Sequence, residues 1–425
     1  MIFKKAYTQL IGCLLILSSS SCTNTEGNDR FAGFEKIIDV NHVSSVSGRS
    51  TGQIIDLNIP PDQEINFDYN KNLYDLRFVK LERTPASVIG KIDKLFFSAS
   101  RIVVVDLNIT ESIFIFDSSG HFLNKISTDK YAKPDAQNDL THIFDVAYYY
   151  NKDEIIVHDN RKAKSYYFDS NGNFLRVERE YISFFSFANL KNTDYFVYID
   201  LYTGNDHIPA LKKSEIYLGR EGTRITYTAP DAVQRIMIKA NYHYTDNLSL
   251  SNSSNGFYTP VFSDTVYLID GKKPDVYPKF VLHFPGHDIN AKVKESPQTI
   301  DMPLLTQLYN THAYYSFQGK VLAAGDSVYY IECNKGKQLG YFYSERTNKI
   351  IGGTLQSRLS YKDSAQLQAY QYPIASTGTE FVSMLSPEDL ISQAPMLRTV
   401  KFSRALENLS RADNPVLVFY KLKNF

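Results

Sequence analysis

Few side chains in this sequence have the type and spacing to do chemistry. His283 and His287 lie four apart, with Asp288 beside the second, and two imidazoles at that spacing on a helix can share a metal ion. Phe284, Pro285 and Gly286 fall between them, and a proline there forbids the regular helix the arrangement needs. The expectation is therefore two solvated loop histidines, with no metal ligand and no cofactor site. Paired carboxylates are the next option, because glycoside hydrolysis needs two acids held a few ångströms apart. Acids are plentiful, but Asp106 and Asp117 have counterparts in Asp159 and Asp169. A residue that recurs with the fold serves turns and strand ends, whereas a catalytic residue normally stands once. No HExxH, P-loop or CxxC pattern occurs, so no catalytic residue is assigned. Tyr148-Tyr149-Tyr150 and Tyr314-Tyr315 either line the mouth of a site or pack in a core or strand edge. Sialidase-type aspartate boxes end in tryptophan, and the chain has none.

The elements that must position these residues show themselves as a repeat. Arg101 to Ile126 reads RIVVVDLNITESIFIFDSSGHFLNKI, and Glu154 to Val177 reads EIIVHDNRKAKSYYFDSNGNFLRV. Asp117, Gly120, Phe122 and Leu123 return as Asp169, Gly172, Phe174 and Leu175, each 52 positions later. Ile92-Asp93 returns as Phe144-Asp145 at the same separation. Ile102 to Val105 is a short apolar run suited to a strand buried on both faces, and Ser112 to Asp117 is a second strand. Asp117 to Gly120 and Asp169 to Gly172 read as turns in which the aspartate caps the backbone and the glycine takes positive φ, closing a hairpin with a bulge. With a strand near Ile92 to Phe97, this makes four antiparallel strands in about fifty residues, the size of one propeller blade. His142 and His158 fall inside these units and are expected at strand ends.

A second echo, Asp264 to Ile269 against Asp326 to Ile331, has a period of 62. It fits a blade that carries an insertion, here His287 to Leu305. Val416 to Lys423 alternates like a strand, and Ile54 to Ile59 and Leu73 to Glu82 are strand-like segments ahead of the first complete unit. A ring leaves two open edges unless such early and late segments meet in one sheet. Ser386-Pro387-Glu388-Asp389 carries a helix-start signature, and Ser403 to Arg411 is a second short helix. Residues 53–425, divided by blades of this size, give six or seven.

Composition narrows the function. Lys plus Arg and Asp plus Glu are both 46, which argues against a nucleic-acid partner, since such a partner needs a basic face. Tyrosine and phenylalanine supply the whole aromatic fraction of 14%, which favours strands. Ahead of the repeat, Lys4 and Lys5 precede an apolar run from Leu10 to Leu17. The run has the length of a signal h-region and is too short for a membrane span, which takes roughly 20 apolar residues. Leu10-Ile11-Gly12-Cys13 fits a lipobox letter by letter but leaves almost no apolar segment upstream. Cys22 has the whole run before it and polar residues after it, so Cys22 is the expected lipidation site. Residues 1–21 are then a lipoprotein signal peptide, 22–52 a flexible tether and 53–425 the folded domain. Cys333 is expected to be a small buried hydrophobe.

The FVKLERT pattern starting at Phe78, the IGKIDK…VVVD…IFIFDSSGHFL unit and the closing DNPVLVFYKLK resemble the six-bladed β-propeller lipoproteins common in Bacteroidetes, distant relatives of NHL-repeat propellers. The resemblance spans nearly the whole chain after residue 52 and rests on blade-building motifs that carry no chemistry. It implies an all-β, six-bladed β-propeller of four-stranded antiparallel blades, with short helices in late connections. Members often carry a glycine-rich loop after the first blade, whereas Asp129 to Asp139 reads DKYAKPDAQND. The expected role is a ligand- or partner-binding module, held by its N-terminal lipid at the outer membrane on the periplasmic or cell-surface side. Its ligand would be a glycan, a peptide or an envelope protein. A glycan-active hydrolase or lyase with its site in the propeller funnel is the alternative, and a structural part of an outer-membrane assembly is a third.

Overall fold

The computed structural model describes residues 30–46, 54–61, 72–131, 139–200, 204–212, 214–229, 247–250, 254–260, 262–295, 302–325, 327–353, 372–388, 390–391, 408–423 and 425. Six small sheets follow one another along the chain. Blade one holds Lys94–Phe97, Arg101–Asp106, Ser112–Asp117 and Phe122–Ser127, each strand antiparallel to the one before it. Blade two repeats this with Asp145–Tyr149, Glu154–Asp159, Lys164–Asp169 and Phe174–Arg179. Blade three is built from Ser186–Asn189, Phe196–Ile199, Ile216–Arg220 and Arg224–Thr228. Blade four is built from Leu248–Leu250, Asn255–Tyr258, Thr265–Asp270 and Asp275–His283. Blade five contains Ser316–Ala324, Val328–Asn334, Gln338–Ser344 and Lys349–Gly353.

Blade six closes the ring. Its strands run Ala375–Ser376, Phe381–Leu385, Val416–Leu422 and then Leu73–Lys80, so the outermost strand comes from the start of the domain. Asn414 clamps the junction: its amide donates to the carbonyls of Glu82 (2.9 Å) and Ser87 (2.6 Å), and its oxygen accepts from the Ile89 N–H (3.1 Å). The expected pairing of early and late segments is therefore present through Leu73–Lys80. Ile55–Asn58 does something else. It lies parallel to Asp275–His283 as a fifth strand of blade four.

Packing explains why the strands read as near-continuous apolar runs. Six buried clusters fill the six spaces between consecutive blades. In blade one, Val103 and Val105 point into the space shared with blade two, while Ile102 and Val104 point into the space shared with blade six. Both faces of such inner strands thus leave water, and each such side chain is worth about 1.5–3 kcal/mol. The strand Val416–Leu422 follows the same rule. Val416, Val418 and Tyr420 face blade five, and Leu417 and Phe419 face blade one.

The predicted turns are present in detail. The Asp117 carboxylate accepts from the Ser119 (2.8 Å) and His121 (3.0 Å) N–H groups, and Gly120 sits at φ 92°. Asp169 does the same for Asn171 (2.9 Å) and Asn173 (2.8 Å), with Gly172 at φ 79°. Both hairpins carry a register shift at the equivalent place, between Ile115 and Phe116 and between Tyr167 and Phe168. The insertion after blade four forms helices Ile289–Glu295 and Met302–Asn310. A helical turn follows Ser386. Most of the helix expected over Ser403 to Arg411 lies outside the described residues, and among residues 408–411 Asn408 and Arg411 lie in turns and none is helical.

Residues 30–46, read from the sequence as part of the tether, lie on the ring. Phe31, Ile38 and Val46 are buried, and Ser44–Ser45 pairs in parallel with Arg224–Thr228 as a fifth strand of blade three. Phe31 stacks on His207 at 4.7 Å between ring centroids.

Candidate functional site

The residues singled out for chemistry mostly serve the blades. Asp106 and Asp159 are fully buried at the ends of equivalent strands. Asp106 accepts from the N–H groups of Gly90, Lys91, Ile109 and Thr110 at 2.9–3.3 Å. Asp159 accepts from those of Thr141, His142, Arg161 and Lys162 at 3.0–3.2 Å. Each carboxylate ties two loops together, and the N–H groups hold the Asp106 carboxyl below its usual range against the opposing effect of burial. His158 is buried against Phe184, 4.1 Å between centroids, and burial pushes its imidazole down to about 3. His142 stands 3.9 Å from the Glu111 carboxylate.

His283 and His287 are not brought together to share a ligand. His283 pairs with Asp56 at 2.7 Å, His287 lies beside the Tyr314 ring, and Asp288 caps the helix Ile289–Glu295 through the Ala291 N–H. Among the described residues no three His, Cys, Asp or Glu side chains are placed to hold a metal ion. Cys333 is buried in the cluster between blades four and five. Cys22 lies outside the described residues. Gly48-Arg49-Ser50-Thr51-Gly52 has the letters of a G-x-S-x-G nucleophile elbow, but an elbow needs a strand-to-helix turn. This segment joins strand Ser44–Ser45 to strand Ile55–Asn58 and lies outside the described residues.

The tyrosine runs divide between their two readings. Tyr148 and Tyr149 enter the clusters on opposite sides of blade two, with their hydroxyls donating to Asp153 and to Asp194 (3.1 Å). Tyr315 is buried between blades four and five. Tyr150 is only partly buried and lines a mouth.

That mouth adjoins the axis of the ring. The first strands of all six blades surround an axial cavity of about 130 Å³. On one face of the ring, the turns joining first to second strands in blades one, two, three and six converge with Arg77 and Phe419 around a funnel of about 860 Å³. Tyr150 and Lys191 line both spaces and mark their junction. Lys191 belongs to blade three, yet its ammonium donates to the carbonyl of Thr377 in blade six (3.2 Å), across the axis. It also lies 4.7 Å from the centroid of the Tyr150 ring, a cation–π contact. Burial pushes the Lys191 amine down to about 8.

Three other charges of the funnel, Arg77, Glu380 and Asp153, are engaged more fully. Arg77 pairs with Glu380 at 3.1 Å and lies 3.5 Å over the Phe419 ring. Asp153 accepts the Tyr148 hydroxyl. In the cavity, Lys94 pairs with Asp145, whose other oxygen accepts the Phe187 N–H at 3.0 Å and so links blades one, two and three. Lys320 pairs with Glu332 at 3.1 Å. Sequence reasoning missed Lys191, Arg77, Arg101, Asp153 and Glu380. Lys191-Asn192 reads as an ordinary polar turn, and only the ring brings it over the axis.

One buried acid lies away from this site. Glu180 is 3% exposed between blades two and three, and its Oε2 has no hydrogen-bond partner. Burial, with the Glu178 charge nearby, raises its carboxyl to about 7.

No helix among the described residues is long and apolar enough to cross a membrane. No curated protein sequence matches the chain. A solved structure from Bacteroides fragilis, whose name describes it as an exported protein, is 17% identical, with 88% of this chain and 100% of that one covered and a TM-score of 0.65. A member of the DUF4221 family from Bacteroides vulgatus is 11% identical over 84% of this chain and 100% of its own, with a TM-score of 0.45. The first of these likenesses agrees with the six-bladed ring. Residues 53–421 match the profile of a family described as a domain of unknown function, and the chain belongs to that family, DUF4934.

Proposed function

We propose that this protein is a ligand-binding module of the cell envelope, with the funnel over blades six, one, two and three as its binding site. The observation that carries the reading is the convergence of turns from four consecutive blades on one opening of about 860 Å³ that leads to the axial cavity. Loops at the mouth of a rigid ring are well suited to holding a ligand. The two acids of the funnel are occupied, Glu380 by Arg77 and Asp153 by the Tyr148 hydroxyl, which favours binding over carboxylate-pair hydrolysis. The test is a glycan and peptide binding screen on the full-length protein beside a Ser100→Trp variant, in which an indole fills the mouth. A ligand that binds both proteins equally well would place the site elsewhere.

The proposal includes an anchor. The h-region ahead of Cys22 and the exported description of the Bacteroides fragilis protein support lipidation of Cys22 and attachment to the outer membrane, as in NHL-like propeller lipoproteins. Fatty-acid labelling of cells checks it: Cys22→Ala should abolish incorporation and release the protein from membranes. A Cys22→Ala protein that stays with the membrane removes the anchor.

A further inference from the structure

We propose that the ligand is a carboxylated saccharide and that Lys191 receives its carboxylate, with Arg101 as the second cation of the same funnel. This rests on the reading of the funnel as a ligand site. Three cations line the opening, and only Arg77 has a carboxylate partner among the described residues. Lys191 holds a peptide carbonyl and the face of a ring, neither of which neutralises its charge. Arg101 donates to the Ser100 carbonyl (2.9 Å) and the Asn171 amide oxygen (2.6 Å), and its Nε is buried without a partner.

An ammonium taken out of water without a counter-charge is costly, and the lowered proton affinity of Lys191 is the mark of that cost. A ligand carboxylate restores the missing charge. The surrounding wall is rich in hydroxyls, from Ser98, Ser100, Ser118 and Thr379, and these groups both donate and accept. The ring of Phe419 is covered by the Arg77 guanidinium. Phe97, Ala99, Ile102 and Tyr150 add apolar surface to this lining, but its polar groups predominate, which suits a polyhydroxyl chain better than the apolar side chains of a peptide.

Titration calorimetry on the full-length protein tests this with three probes: a glucuronate-containing tetrasaccharide, the same tetrasaccharide with its carboxyls reduced to alcohols, and an Asp/Glu-rich hexapeptide. Charge-assisted hydrogen bonds of this kind are worth about 10- to 100-fold, so the acidic sugar should bind that much tighter than the reduced one. Lys191→Met should erase the preference and Lys191→Arg should keep it, with circular dichroism reporting an intact ring in both. Equal affinity for the two sugars, or a preference that survives Lys191→Met, overturns the role of Lys191 and leaves the funnel standing. Tighter binding of the hexapeptide overturns the saccharide. Failure of all three probes, together with an empty screen on the wild type, removes the funnel itself.

Discussion

Replacing Glu180 by glutamine should stabilise the protein in a way that depends on pH. The carboxyl is buried between blades two and three and raised to about 7, from an ordinary value of 4.5. A folded-state value above the unfolded one means that the folded protein holds the proton more tightly. The stabilisation is therefore complete below pH 4.5 and is lost as pH rises to about 7. That gap, at about 1.4 kcal/mol per pH unit, is worth about 3 kcal/mol. Glutamine fills the same space and stays neutral throughout, so Glu180→Gln should match the wild type near pH 4.5 and exceed it by up to ~3 kcal/mol at pH 8. His158 works in the opposite direction. Its depressed imidazole costs stability as pH falls from 6.5 towards about 3, so the wild-type curve alone conceals both effects. The difference between variant and wild type cancels His158, and urea denaturation at pH 5, 6, 7 and 8 measures it. A difference that does not change with pH, or a variant less stable at pH 8, would refute the argument.

Other substitutions probe the frame. Gly120→Ala forces an alanine to φ 92° and sets its Cβ 2.2 Å from the Lys80 carbonyl oxygen; a loss of about 3 kcal/mol in chemical denaturation is expected. Asn414→Ala removes three hydrogen bonds that join blade six to the entry of blade one, and the stranded backbone groups should cost about 2–3 kcal/mol. Phe31→Ala deletes the ring stacked on His207; the segment around it should become cleavable in limited proteolysis while the ring keeps its circular dichroism spectrum.

The blades were legible because their physics is local. Asp117 and Gly120 reappearing as Asp169 and Gly172 fixed a turn, and the apolar run Ile102 to Val105 fixed a strand buried on both faces. The strand from Val416 was legible as a strand, although the alternation read from it picks out one face and the structure buries both. The parallel fifth strands were only half legible: Ile55–Asn58 reads as a strand, but Ser44–Ser45 has no apolar pattern, and parallel addition leaves no turn to show the partner of either. The site was illegible for a related reason. Tyr150, Lys191 and Thr377 belong to three different blades, and their meeting depends on how many blades close the ring. A sequence lists charges but does not say which of them a ring will carry away from water.

The hydrogen bonds between Val416–Leu422 and Leu73–Lys80 join residues some 340 positions apart. Contacts of such long range are paid for in chain entropy before they return anything, so they form late and slowly. Until then the inward faces of blades one and five stand open and greasy, a state that invites clumping and attack by proteases. Cutting the chain anywhere before Val416 would leave that seam unsewn, and such fragments should be cleared rather than accumulate.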